Sequence, residues 1–163
     1  MNMLEYSQFL GMYWGEPGLQ PFIDELKITK PPKIKKGETD TYITLKKVGI
    51  ELAFTDERYL NLSNKVVPEG VAILSNIRFY FSSDTGFQPY SGKLPQKISL
   101  PLTKKNALEA FGIPNFPKYS ATGQLLRGKD DWKMRWDNKN YIVFCTFNDE
   151  NTAKNISLQL PPC

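Results

Sequence analysis

The chain contains no histidine at all. That absence removes histidine metal ligands, imidazole acid–base chemistry and a nucleophilic triad of the usual kind. Cysteine is nearly as scarce. Cys145 and Cys163 are the pair present, too few for a disulfide framework and unaccompanied by a second cysteine at zinc-ligand spacing. Cys145 falls inside an apolar run and reads as a small core hydrophobe, because no base is available to activate its thiol. A run of about 18 apolar residues is also missing, so no membrane-spanning segment is expected. Met1–Leu10 carries Glu5 and no basic stretch ahead of an apolar core, so it does not read as an export signal, and a reducing, cytoplasmic setting is expected. No glycine-rich phosphate loop or calcium loop occurs. Neither a catalytic, a cofactor-binding nor a metal-binding residue is assigned.

What is present suffices for a folded domain. The 163 residues are 40% hydrophobic and 13% aromatic, enough to bury one core without staples. The formal charge is +4, spread along the chain except for Lys27, Lys30, Lys33, Lys35 and Lys36 and for Arg127, Lys129, Lys133 and Arg135. Both groups read as solvated surface, with a phosphate-contacting patch as the alternative. No nucleic-acid-binding signature accompanies them, and nucleic acid is not expected as a partner.

The C-terminal part carries the clearest patterning. Thr103 supplies an N-cap hydroxyl ahead of Lys104–Phe111, Gly112 suits the residue just past a helix end, and Pro114 cannot continue one. Trp132, Met134 and Trp136 alternate with polar residues, and Tyr141–Phe147 is rich in β-branched and aromatic residues, so an antiparallel hairpin is expected across the turn Asn138–Asn140. Trp132 is assigned to the core. Asn155–Leu160 alternates cleanly until Pro161 and Pro162.

Upstream, Leu4–Leu10 carries helical spacing, Gly15–Gly18 breaks it, and Pro21 opens a second short helix, giving a helical lobe over residues 1–28. Lys30–Gly37 reads as an extended, solvated loop. Thr41–Leu45 and Ile50–Phe54 read as strands, Val71–Leu74 and Ile77–Phe81 together as one longer, nearly continuous apolar strand, and Tyr59–Leu62 as a candidate edge strand. The expected architecture is α+β: one domain over residues 1–163, with five to seven mainly antiparallel strands over 41–163, an inserted helix near 103–111, and two or three short helices in all. The carboxylate pairs Asp56-Glu57, Asp130-Asp131 and Asp149-Glu150 sit in predicted turns beside basic residues, where turn solvation explains them better than acid–base work, and the chain is not read as an enzyme.

The ordered segments GIELAF (Gly49–Phe54), IRFYFSSDTGFQPYSGKLP (Ile77–Pro95), ALEAFGIPN (Ala107–Asn115), DDWKMRW (Asp130–Trp136), YIVFCTFND (Tyr141–Asp149) and ISLQLP (Ile156–Pro161) resemble small bacterial immunity proteins encoded beside pyocin-like bacteriocins and other polymorphic toxins. The resemblance covers residues 42–161. Tyr90, Gly92, Leu94 and Pro95, with Gly112 and Pro114, carry most of it. The order of helix, Gly-x-Pro, tryptophan and strand is also similar to the half-repeat of beta-lactamase-inhibitor-like proteins. Both resemblances imply inhibition by surface complementarity without turnover, and the immunity resemblance implies occlusion of a cognate toxin domain, anchored by exposed aromatics and steered by charge. The implied partner-binding candidates are Tyr13, Trp14, Tyr59, Phe87, Tyr90, Phe116, Tyr119, Arg127, Lys129 and Trp136; core packing is the favoured competing role of the aromatics, and solvated surface that of Arg127 and Lys129. A basic chain suits an acidic partner surface. A homodimer, a small carboxylate-dependent enzyme using Asp130 or Asp131 near Glu51, and a nucleic-acid-binding accessory protein remain the alternatives.

Overall fold

The computed structural model describes residues 1–62, 65–83, 86–95, 98–116 and 133–161. Its strands are β1 (Asp40–Leu45), β2 (Ile50–Asp56), β3 (Ala72–Tyr80), β4 (Lys133–Asp137), β5 (Ile142–Phe147) and β6 (Ala153–Gln159), in one sheet ordered β1-β2-β3-β6-β5-β4. Every neighbouring pair is antiparallel. The α-helices are α1 (Gln20–Glu25) and α2 (Lys104–Phe111), joined by 3-10 turns at Met3–Phe9, Pro17–Leu19 and Glu57–Tyr59. The α+β reading and the strand count are therefore correct. The sheet consists of two three-stranded meanders, each preceded by helical segments, joined where β3 meets β6.

Alternation along the strands defines two faces. Ile50, Leu52 and Phe54 of β2, Ile77 and Phe79 of β3, Ile156 and Leu158 of β6, Val143 and Cys145 of β5, and Met134 and Trp136 of β4 turn to one side and form the core. Met3, Tyr6, Phe9, Phe22 and Ile23 cover the β1–β3 half of this side, with Tyr6 stacked on Phe79 at 5.9 Å and Phe9 on Phe22 at 4.8 Å. Ala107 and Phe111 of α2 cover the other half, where Phe111 lies 5.0 Å from Trp136. Residues of the expected helical lobe thus bury into the same core as the sheet.

Several local expectations change. Met3–Phe9 is a 3-10 helix rather than an α-helix. Its buried residues, Met3, Tyr6 and Phe9, fall three apart, and a period of three aligns them on one stripe only if the helix is wound at three residues per turn. Tyr59–Leu62 forms no strand; Glu57–Tyr59 is a 3-10 turn. Val71–Leu74 and Ile77–Phe81 do form the one continuous strand expected, β3, and it carries Ser75 as an extra residue where the register against β2 shifts. Helix α2 follows its expected caps. Thr103 accepts the Asn106 N–H at 3.2 Å, and Gly112, at φ +81°, donates to the Leu108 carbonyl at 2.8 Å. Trp132 lies outside the described residues.

The β1–β2 turn ends at Gly49, where φ is +71° and a Cβ would run into the backbone of Gln88 and Tyr90. The Tyr80 N–H donates to the Gly49 carbonyl at 2.9 Å, so this glycine lets the 86–90 segment lie against the sheet. Gly49→Ala is expected to cost roughly 1–3 kcal/mol, read as a lower urea midpoint at unchanged slope. Phe79→Ala, which empties the centre of the core, is expected to cost about 3–5 kcal/mol in the same measurement.

Candidate functional site

The second sheet face carries a different chemistry. Neither α-helix packs on it, because both bury their apolar side chains in the core on the opposite face. The registers place Tyr42, Ala53, Asn76, Gln159, Ile142 and Asp137 in one row across all six strands, and Thr44, Glu51, Arg78, Ser157, Phe144 and Arg135 in the next. Tyr42 is 57% exposed. Arg78 reaches Glu51 at 3.5 Å, the Tyr80 hydroxyl donates to the same carboxylate at 3.3 Å, and Arg135 meets Asp137 at 3.1 Å. The Lys133 ammonium sits 4.3 Å above the Phe144 ring. The Arg78 Nε is buried and makes no hydrogen bond among the described residues, while the Arg135 Nε lies against the Asp137 carboxylate.

A groove of about 1,070 Å³ opens at the Tyr42 end of this face. Its floor is Thr55, Ser75, Asn76 and Gln159, and Tyr42 and Tyr59 stand on its rim. The floor is built by the register shift. Ser75 is the inserted residue; its hydroxyl bonds Thr55 at 2.7 Å and the Ala53 carbonyl at 3.2 Å. Below it, β3 exchanges β6 for the segment 11–14, with Gly11 donating to Leu74 and Leu74 donating to Met12, both at 2.8 Å. Bulges re-aim side chains, and here one turns two consecutive polar residues, Ser75 and Asn76, toward the groove. Lys65 closes one wall by bridging Glu16 at 2.9 Å and the Gly11 carbonyl at 3.0 Å.

A second cleft of about 690 Å³ lies beside the first and shares Tyr59 with it. It is lined by Trp14, Lys33, Lys35, Lys36, Asp56 and Arg58. The largely buried Asp56 carboxylate accepts the Arg58 backbone N–H at 3.0 Å, Nε at 2.9 Å and Nη2 at 2.7 Å. These hydrogen bonds hold its pKa down at about 2, against an ordinary 3.8, the wrong direction for a general acid. Among the described residues no cluster of three or more histidine, cysteine or acidic side chains is arranged to hold a metal. Cys145 is buried, and desolvation pushes its thiol well above the ordinary range, away from nucleophilic use.

The aromatic candidates separate sharply. Tyr59 is 60% exposed on the rim of both clefts, and Phe116 is 46% exposed against the outer edge of β4, where it bridges Arg135. Trp14 is partly buried, edge-on to Phe54 at 6.0 Å, with part of its surface in the basic cleft. Tyr13 pairs with Ile73 beneath the Lys65 ammonium. Phe87, Tyr90 and Trp136 are corrections. Phe87 stacks on Tyr80 at 4.0 Å, Tyr90 packs edge-on to Phe79 at 4.9 Å, and Trp136 donates its indole N–H to the Gly112 carbonyl at 3.0 Å, all three buried. Loop position did not expose Phe87 and Tyr90, because the 86–90 segment lies against the sheet, and Trp136 falls on the core side of its strand. Tyr119, Arg127 and Lys129, together with the carboxylates Asp130 and Asp131, lie outside the described residues. The residues missed are Tyr42, Arg78 and Phe144. The strand period in Thr41–Leu45 would have found Tyr42, since it puts Tyr42 opposite in direction to Ile43.

Because the folded pKa of Asp56 is depressed, its stabilisation is complete above the ordinary carboxyl value and fades as pH falls toward 2. Asp56→Asn should therefore lose stability at neutral pH, by about 1 kcal/mol as for a lost helix cap, and its urea midpoint should converge with wild type between about pH 4 and pH 2. Comparison with family models, with curated proteins and with solved structures finds no match for this chain.

Proposed function

We propose that this chain is an immunity protein, which binds a cognate bacterial toxin domain and blocks it by covering its active or functional surface, without catalysis. The observation that carries the reading is the groove on the sheet face that neither α-helix covers, with tyrosines on its rim and amides and hydroxyls on its floor. Tyrosine gives large contact area at low entropic cost, and serine and asparagine give adaptable hydrogen bonding, the combination used by protein-binding surfaces that act through complementarity. The side chains of Asn61 and Asn76, both in the groove, make no hydrogen bond within the described residues and are free to pair across an interface. Arg78 and Arg135 on the same face are of the residue type that dominates binding energy once desolvated. The chain's net charge of +4 favours an acidic toxin surface through steering and complementarity. The resemblance over residues 42–161 supplies the class of partner, and the groove supplies a means of binding it.

Titration of the purified protein against the toxin domain encoded beside it, with toxin activity read in parallel, tests this directly. Stoichiometric inhibition at nanomolar concentration is expected. Tyr42→Ala and Tyr59→Ala should each weaken binding by about 2 kcal/mol or more, while Val66→Ala, at a fully exposed position outside both clefts, should leave it unchanged. Absence of binding at high micromolar concentration overturns the proposal.

A further inference from the structure

Strand β1 leaves one edge of the sheet open. The Asp56 N–H donates to the Thr39 carbonyl at 2.9 Å. Antiparallel pairing alternates, so with this register Thr41, Ile43 and Leu45 point their backbone groups at β2, and Tyr42 and Thr44 point theirs outward. Among the described residues no other backbone group takes up the outward N–H and C=O groups of Tyr42 and Thr44. The segment 28–33 runs close to this edge without closing a ladder on it, and Pro31 and Pro32 within it have no N–H to donate. Between that segment and β1 lies a cleft of about 410 Å³. Its lining combines three ammonium groups, Lys27, Lys30 and Lys33, with the apolar side chains of Ile28, Ile43 and Leu45.

We infer that β1 receives an extended acidic segment of a protein partner by strand addition, which lengthens the six-stranded sheet to seven. Four unpaired backbone groups supply the ladder, and main-chain bonding of this kind gives affinity while alternate side chains give specificity. On the core side of the added strand, side chains meet the three lysines and the apolar stripe, so carboxylates interspersed with β-branched residues fit there. On the other side they meet Tyr42, which also stands on the rim of the sheet-face groove, so the edge is continuous with the surface assigned above. Charge decides against a second copy as the occupant. Antiparallel pairing of two β1 strands would bring two sets of Lys27, Lys30 and Lys33 together, and like charges across an interface are strongly disfavoured. The same lysines keep the edge from indiscriminate pairing in the free protein. The inference deepens the immunity reading by naming the edge and the chemistry through which the partner is held.

The test uses the full chain and a fluorescein-labelled peptide of about ten residues, a length typical of strands, in which every second position alternates Glu with Val so that both fall on one face, followed by fluorescence anisotropy at low and high salt. Binding is expected at low salt and should weaken on adding salt. Thr44→Pro removes an outward N–H and no β2 ladder bond. It should lower affinity about tenfold or more, as should the triple variant Lys27→Glu, Lys30→Glu, Lys33→Glu, with thermal melts unchanged in both. The same peptide with Lys in place of Glu should not bind. Equal binding by wild type and both variants overturns the inference, as does failure of the acidic peptide to bind. Self-association of the wild type in sedimentation, abolished by Thr44→Pro, also overturns it, in favour of a second copy, as does tighter binding of a DNA oligonucleotide than of the acidic peptide. The two proposals fail separately. If the toxin domain binds wild type and Thr44→Pro equally, strand addition is wrong and the immunity reading stands. If the peptide behaves as expected and the toxin domain does not bind, the edge stands and the toxin pairing is wrong.

Discussion

The pairing of β3 with β6 holds the two halves of this protein together. Each half is a helical segment followed by a three-stranded meander, and neither covers its own core completely. Register matters here because Ile77 opposes Leu158 and Phe79 opposes Ile156, all buried on the core face. A slip of β6 by one residue would turn Ile156 and Leu158 to the other face and bring Ser157 into the core. Burial of a full row of apolar side chains and satisfaction of the ladder thus specify one alignment. The same strand then makes the groove, since the inserted Ser75 ends its pairing with β6 and hands it to residues 11–14.

The two faces divide the work. The core face is closed by 3-10 and α-helical segments whose stripes match their own periods, and it holds the large aromatics Phe22, Phe54 and Phe79 at no exposure. The other face keeps polar side chains, the ion-paired arginines Arg78 and Arg135, and a rim of tyrosines. An antiparallel sheet tolerates this asymmetry because its ladder bonds are satisfied within the sheet and leave one face free of helices. Stability and recognition can therefore be altered on opposite sides of the same strands.

Charge is distributed with a similar division. Arg58 is tied to Asp56 and Lys65 to Glu16, so these two cations are internal braces. The lysines of the 27–36 segment have no such ties in the ion pairs observed, and their positive field is directed at the β1 edge and the adjoining cleft. A surplus of cations beside an unpaired strand edge attracts acidic segments and repels copies of the chain itself.

Much of the framework was legible in the sequence, because alternation and helix caps are local. Thr103, Gly112 and Pro114 bounded α2, and the tryptophan hairpin, the strand at Ile50–Phe54 and the C-terminal strand followed from period two and β-branched content. The helical winding of Met3–Phe9 was not, since residues three apart satisfy an α-helix and a 3-10 helix alike until packing against Phe79 and Phe22 selects between them. The candidate site was legible only in part. Residue type marks an aromatic as an anchor or as core, but exposure is decided by what lies above it: Phe87 and Tyr90 are covered by the fold of their own loop, whereas Tyr42, with the same chemistry, stands at an open edge. The sequence by itself determined the elements, the absence of histidine chemistry and the basic loop. Tertiary structure alone decided which strand was left at the edge, which face stayed free of helices and which aromatics reach solvent, because these depend on contacts between residues far apart in the chain.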